Sequence, residues 1–248
     1  RSAATGLPPH GGSPGHTLSD MIASVSIVRY PRSELRWAFG RMGLDRPDLA
    51  RTPGLRFRRL VGTARGRSFA WRPDLLRWGL VGGWESEEAL DAFLAESPVV
   101  ERWREHAAEV WTVRMVPVKS AGKWGGSNPF PAQEPPPGEG PMAVITRATV
   151  RLRKTRAFHS AVPPIDLDLA RTPGLVASVG FGESPLGHQG TLSVWSSEQA
   201  MRDFAYGTDA HREAIRRRTT EHWYAEELFA RFRVVGSTGT LGGTDPLA

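Results

Sequence analysis

No cysteine occurs among the 248 residues, and that absence excludes disulfides, iron–sulfur ligation, thiolate-held zinc and thiolate-ligated haem together. Any metal centre must then be built from imidazole or carboxylate. Lysine is almost missing as well. Lys119, Lys123 and Lys154 are the three present, so arginine carries nearly all of the positive charge behind a formal net +6. No zinc-finger, P-loop or RNA-module signature accompanies the arginines, and no nucleic-acid partner is expected. A solvated surface, an anionic ligand and an anionic membrane face remain as readings of that charge. No run of eighteen apolar residues is present, which argues against a transmembrane helix. A nucleophile elbow, HExxH spacing and a GxGxxG after a strand are all missing, leaving hydrolase, zinc-enzyme and dinucleotide classes unsupported. Residues 1–20 are rich in Gly, Pro and Ser and have no apolar h-region. They read as a disordered leader, with the fold starting near Met21 and a cytoplasmic location that allows peripheral membrane contact.

What the chain has is repetition. "DLARTPGL" occurs at residues 48–55 and again at 168–175. Three further stretches recur in the same order. "GGWESEEALDAFLAESP" from Gly82 matches "SVWSSEQAMRDFAYGTD" from Ser193, setting Trp84 opposite Trp195 and Phe93 opposite Phe204. "VRMVPVKSAGKWGGSNPF" from Val113 matches "ARFRVVGSTGTLGGTDPL" from Ala230, setting Arg114 opposite Arg231. The stretch from Met21 loosely matches that from Met142. Collinear matches of this kind mark a tandem duplication. Residues 21–127 form the first half and 142–248 the second, and the Pro-rich residues 128–141 read as a stiff linker.

Each half shows the same order of elements. Apolar β-branched residues predict an opening strand at 22–28 and 144–150, and a short helix follows at 33–42 and 154–161. "RTPGL" is a turn into a second strand, 175–181 in the second half. A third strand ends at the paired tryptophan, and Ser86 or Ser197 then opens a helix with acids in its first turn. A last strand closes each unit, at 113–118 and 229–235. This β-α-β-β-α-β order is the ferredoxin-like motif. A sheet with helices on one face must bury the other face. The expected fold is therefore α+β, with two tandem ferredoxin-like halves packed as an intrachain pseudo-dimer.

The two halves differ where chemistry is most easily placed. In the first half the second helix carries Leu90, Phe93, Val100 and Trp103; in the second it carries Met201, Phe204, His211 and Ile215. Spacing sets His211 on the sheet-facing stripe, where Val100 is an ordinary core residue. Such an imidazole is either a core histidine bonded to a backbone carbonyl or a ligand, since histidine is the commonest protein metal ligand. His188 and Gln189 fall opposite Arg77 and Trp78 and either line a bound ligand or form a polar loop.

"TRATVRLRKTRAF", "GFGESPLGHQGTLSVW", "DAHREAIRRRTTEHWYAEELFARF" and "GKWGGSNPF" make the chain resemble the spheroidene monooxygenase family, from about Met21 to the C-terminus. The resemblance implies a dimeric α/β barrel holding haem b, with activity as an O₂-dependent monooxygenase. Its substrate would be an acyclic carotenoid or similar apolar molecule, hydroxylated and then ketonised, with electrons from a ferredoxin-type donor. It further implies His211 as the iron ligand, with Phe204 and Ile215 beside it. His188, Gln189 and Arg231 become the candidates to assist oxygen chemistry, Arg231 alternatively pairing with haem propionates. His159 and His188 depart from the family pattern, standing where an aromatic residue and a glutamine are expected. The same fold also accommodates dehydratases, peroxidases and haem carriers, and a homo-oligomer is compatible with it. Basic residues Arg29, Arg32 and Arg36 are the expected membrane-facing set.

Overall fold

The repeated strands close on one another. The computed structural model describes residues 21–65, 73–184, 187–207, 216, 220 and 222–248, excepting the side chains of 159, 161–166, 170 and 206. In the first half the strands are β1 (Ile22–Arg29), β2 (Leu55–Ala64), β3 (Pro73–Trp84) and β4 (Glu109–Gly122). In the second they are β5 (Met142–Val150), β6 (Leu175–Gly182), β7 (His188–Trp195) and β8 (Tyr224–Gly239). They form a closed antiparallel barrel in the order β1-β3-β2-β6-β7-β5-β8-β4. Each half thus contributes a four-stranded ferredoxin-like sheet, and the halves join along β4–β8 and β2–β6. Closure pairs the edge strands of the two sheets, along most of β4 and β8 but at only Gly62–Gly182 and Thr63–Phe181 between β2 and β6.

Strand alternation sends one set of side chains inward and the other outward. Val25, Ile27, Val113, Met115, Ile145, Val179, Leu192 and Phe232 pack in the barrel interior. The outward sets meet helices. In the first half these are α1 (Leu35–Leu44), α2 (Arg46–Arg51), α3 (Glu87–Glu96) and α4 (Pro98–His106); in the second, α5 (Thr155–Arg171) and α6 (Glu198–Gly207). The single helix expected after Ser86 breaks at Ser97, whose hydroxyl accepts from the Val99 N–H and caps α4, with Pro98 at its first position. The helix expected at 154–161 runs on to Arg171. Both last strands outrun their apolar patterns because they pair with each other across the halves, where polar and glycine residues serve as well as apolar ones.

The repeated octapeptide builds the same joint twice. The Thr52 hydroxyl donates to the Asp48 carbonyl at 3.0 Å, and Thr172 to Asp168 at 2.8 Å, closing the helix end. Gly54 (φ 71°) and Gly174 (φ 80°) then turn the chain, and their carbonyls accept from Glu85 N–H and Ser196 N–H at 2.9 and 2.8 Å. A Cβ at either glycine would lie 2.5 Å from that of Ala89 or 2.6 Å from that of Ala200. Glycine is required here both for the positive φ and for the close approach of the next helix.

The chain after each last strand crosses to the other half. Residues 122–130 and 239–247 fold alike, with positive φ at Gly122, Gly125 and Gly126 and at Gly239, Gly242 and Gly243. Glu226 of the second half accepts the Gly125 and Gly126 N–H groups at 2.9 and 2.8 Å. Glu109 of the first half accepts the Gly243 N–H at 2.6 Å and the Thr240 hydroxyl at 3.1 Å. Each half therefore clamps the tail of the other. Residues 128–141 follow the surface: Phe130 is fully buried, and the Gln133 side-chain amide donates to the Met21 carbonyl at 2.7 Å.

Candidate functional site on the second half's outer sheet face

Sheet register turns the duplication into an internal comparison. Ile22 lies opposite Trp84 as Met142 lies opposite Trp195, so outward-facing residues can be matched row by row. Across the middle of the first half runs Leu60–Leu80–Ser26–Thr112. The matching row in the second is Gly180–Thr191–Thr146–Phe229. The next row is Gly62–Trp78–Val28–Val110 in the first half and Gly182–Gln189–Ala148–Glu227 in the second. Glycine, threonine, glutamine and alanine thus replace leucine, leucine, tryptophan and valine.

The packing follows from that exchange. In the first half Val28, Leu80, Leu90, Phe93, Val99 and Trp103 belong to one continuous buried cluster. Trp78 extends it, meeting the Phe39 ring edge-on at 6.0 Å. What is left between sheet and helices is a crevice of about 20 Å³ beside Tyr30 and Asp45, roughly the space of one water. Buried Asp45 is held by Arg102 at 2.8 Å and Arg41 at 3.4 Å; burial raises its carboxyl pKa above the ordinary value despite both arginines. Burial likewise raises the Tyr30 phenol.

Among the described residues, the second half's outer apolar side chains fall into two groups. Met142, Val144, Leu169, Trp195, Met201 and Phe204 pack at one end, and Ala148, Val150, Phe158 and Trp223 at the other. Thr146 and Thr191 are half-buried, whereas Ser26 and Leu80 in the matching places are buried; Gln189 and its counterpart Trp78 are both half-buried. The second half's sheet face thus carries smaller and more polar side chains where the first half carries leucine and tryptophan.

The expected site residues distribute across this face. Gln189 stands on the helix-facing side at one corner, paired with Ala148 and Gly182. His188, one residue earlier, falls on the opposite face by alternation, and its Nδ1 lies 3.4 Å from the Ser184 hydroxyl. The two neighbours thus do not converge. Arg231 lies across from Val144, two strands and four residues from Gln189, or about 10 Å across and about 13 Å along the sheet. Its guanidinium sits 5.4 Å from the Phe229 ring centroid. Arg114, its counterpart, binds Glu87 and Asp91 at 3.2 and 2.5 Å. In the second half Arg202 stands where Asp91 does and takes the matching Glu198 at 2.6 Å. Phe204 is buried against Trp195 at 5.1 Å. His211 and Ile215 lie outside the described residues, as does the side chain of His159. No group of three metal-ligating side chains is found among the described residues.

Sequence reasoning missed a charged cluster inside the barrel, at the end nearest His188. Arg147, buried on β5, bonds Glu183 at 3.1 Å and Glu226 at 2.5 Å. Glu183 also accepts from the Trp124 indole N–H at 2.9 Å and meets Arg59 at 3.0 Å. Burial works against charge on Glu226, but the Gly125 and Gly126 N–H groups and Arg147 outweigh it and hold the carboxyl below its ordinary pKa. The signal for this cluster was a charged residue on an apolar strand, Arg147, where the first half has Ile27.

No family model matches the chain. Spheroidene monooxygenase of Rhodobacter capsulatus is 39% identical over 231 residues, 92% of this chain and 95% of that protein. The chain belongs to the spheroidene monooxygenase family. The Rubrivivax gelatinosus member is 33% identical over 90% of this chain and 86% of that protein; the Cereibacter sphaeroides member is 34% identical over 90% and 70%. Among solved structures, an aldoxime dehydratase matches 86% of this chain and 81% of its own with a TM-score of 0.56 at 11% identity. A second, in complex with butyraldoxime, has a TM-score of 0.57 at 9% identity. With the closed barrel described above, those two likenesses establish the dimeric α/β barrel that the resemblance implies.

Proposed function

We propose that this chain is a haem-dependent monooxygenase acting on an apolar substrate of the acyclic carotenoid class. Family membership makes it an oxidoreductase of the monooxygenase kind. The reaction consumes O₂, two electrons and two protons, placing one oxygen atom on a substrate carbon and releasing the other as water. The electrons come from a ferredoxin-type donor. A second round at the same carbon yields the ketone.

The observation that carries the reading is the exchange, on the second half's outer face, of Leu60, Leu80, Trp78 and Val28 for Gly180, Thr191, Gln189 and Ala148. Small residues beside Phe229 suit a flat, mostly apolar group on that face. The repeat alignment also pairs Val99, Val100 and Trp103 with Ala210, His211 and Ala214, so the sequence loses bulk and gains one imidazole there. His211 is assigned as the iron ligand. Haem bound there would supply dioxygen activation, which an imidazole-ligated iron performs with help from distal donors. Gln189 would donate its side-chain amide N–H to the reacting oxygen, and Arg231 would pair with a propionate. His188, on the other face, is assigned a role in holding the 183–188 turn through Ser184.

The test is an absorption spectrum after haem supplementation, with His211→Ala beside the parent. A Soret band that is lost or strongly shifted in the variant supports the assignment. A parent that takes up no haem overturns the cofactor. Product formed without a reductant would point to the dehydratase or peroxidase chemistry that the fold also accommodates.

A further inference from the structure

Leu152 is 79% exposed, the most exposed of the large apolar side chains described. It opens the 3-10 turn Leu152–Lys154 at the end of β5, between exposed Arg151 and Arg153, with Lys154 and exposed Arg156 following. The turn is firmly mounted. Arg151 donates its N–H to the Trp223 carbonyl at 2.8 Å and its Nε to the Tyr224 carbonyl at 3.1 Å, and the Lys154 N–H closes on the Arg151 carbonyl at 2.7 Å. No carboxylate among the described residues pairs with any of these four cations.

The first half again supplies the comparison. Its matching turn, Arg32–Glu34, follows Pro31 and holds one cation and one acid, and Glu34 meets His106 at 3.2 Å. Arg29, expected to face a membrane, is tied to Glu109 at 3.1 Å. Three cations and a protruding leucine have replaced a neutral turn in the second half. The turn also borders the Gln189 end of that half's outer face, since the Val150 N–H donates to the Gly187 carbonyl at 2.7 Å.

We propose that this turn docks the protein on an anionic lipid surface. The leucine enters the boundary between headgroups and acyl chains, and Arg151, Arg153, Lys154 and Arg156 pair with lipid phosphates. A protein interface needs an apolar core with a polar rim, whereas a single leucine among cations has no such core and suits a bilayer interface. Docking in this orientation sets the Gln189 end of the outer face toward the membrane, from which an apolar substrate would arrive. That significance rests on the proposed function; the docking itself does not.

The experiment is flotation of the full chain with phosphatidylcholine vesicles, with and without phosphatidylglycerol. Binding is expected only with phosphatidylglycerol and should fall as salt is raised. Leu152→Asp, and separately Arg153→Glu with Lys154→Glu, should each weaken it, the double reversal by about tenfold or more, with thermal unfolding unchanged. Arg32→Glu on the matching turn should leave it unaltered. A parent that ignores anionic vesicles, binds neutral ones equally well, or binds undiminished after the double reversal overturns the proposal. If the parent ignores vesicles yet an acidic ferredoxin binds through Arg153 and Lys154, the turn is a protein-docking site and the lipid reading falls. Neither haem content nor turnover enters the readout, so failure here leaves the proposed function standing.

Discussion

At the scale of single residues, two carboxylates hold the molecule closed. Glu109 and Glu226 occupy equivalent places in the two halves, and each receives two successive glycines, or a glycine and a hydroxyl, from the opposite half's tail. For Glu109 burial again opposes ionisation, and the Gly243 and Gly242 N–H groups, Arg29 and Thr240 outweigh it, leaving the carboxyl below its ordinary pKa. A lowered folded pKa means that the unfolded chain binds more protons in acid. The stabilisation is therefore complete above the unfolded carboxyl value near 4.5 and is lost as pH falls through the lowered folded values. Urea titrations should show stability declining below about pH 5. In Glu109→Gln or Glu226→Gln that decline should be shallower, from a lower plateau at neutral pH. The neutral amide cannot make charge-assisted bonds, and a cost of about 1.5–3 kcal/mol is expected at pH 7. Glu226→Gln should be the more damaging, because it also removes one of the two carboxylates facing buried Arg147.

At the scale of elements, the octapeptide and the middle row of the sheet make opposite demands. The joint formed by residues 48–55 and 168–175 tolerates no side chain at its glycine. Gly54→Ala or Gly174→Ala should lower stability by about 2 kcal/mol or more, combining the left-handed φ penalty with the clash against Ala89 or Ala200. A shift in Tm checks this. The middle row of the second half, by contrast, carries smaller side chains than its counterpart. Thr191→Leu sets in the second half the residue that Leu80 supplies in the first, and the protein should stay folded with stability within about 1 kcal/mol of the parent. The haem uptake proposed above, followed at the Soret band, should weaken strongly. A folded variant with undiminished uptake would remove this face from the proposed site. Much of the element plan was legible from the chain, since Trp84/Trp195 and Phe93/Phe204 aligned the halves. The break at Ser97–Pro98 and the length of β8 were not. The first depends on a local cap competing with helix continuation. The second depends on a partner strand more than a hundred residues away.

At the scale of the whole molecule, the crossed tails make the halves interdependent. Residues 21–127 expressed alone would keep Glu109 without Gly243, lose the buried Phe130, and expose the β4 edge that pairs β8. Each half on its own should therefore aggregate or remain unfolded by circular dichroism and size-exclusion chromatography. Co-expression of 21–141 and 142–248 should restore a folded pair. Among the described residues no helix is long and apolar enough to cross a membrane, which is why the proposed membrane contact is confined to one exposed turn.

Some of this was determined by the sequence by itself. Duplication, strand and helix order, and the ferredoxin-like plan are carried by local periodicity and by residues that recur at fixed offsets, and these persist in an unfolded chain. Even the asymmetry at Gln189 could be read by aligning the halves. Only the tertiary structure decided along which strands the two sheets join, that each tail is held by the other half, and that Arg147 finds two carboxylates inside. It also decided that His188 and Gln189, adjacent in the chain, face opposite sides of the sheet, and that the small residues of β6 and β7 lie in one row with Thr146. Those facts depend on which strands become neighbours, and register between distant strands is set by cooperative burial of whole faces, not by any single residue's preference.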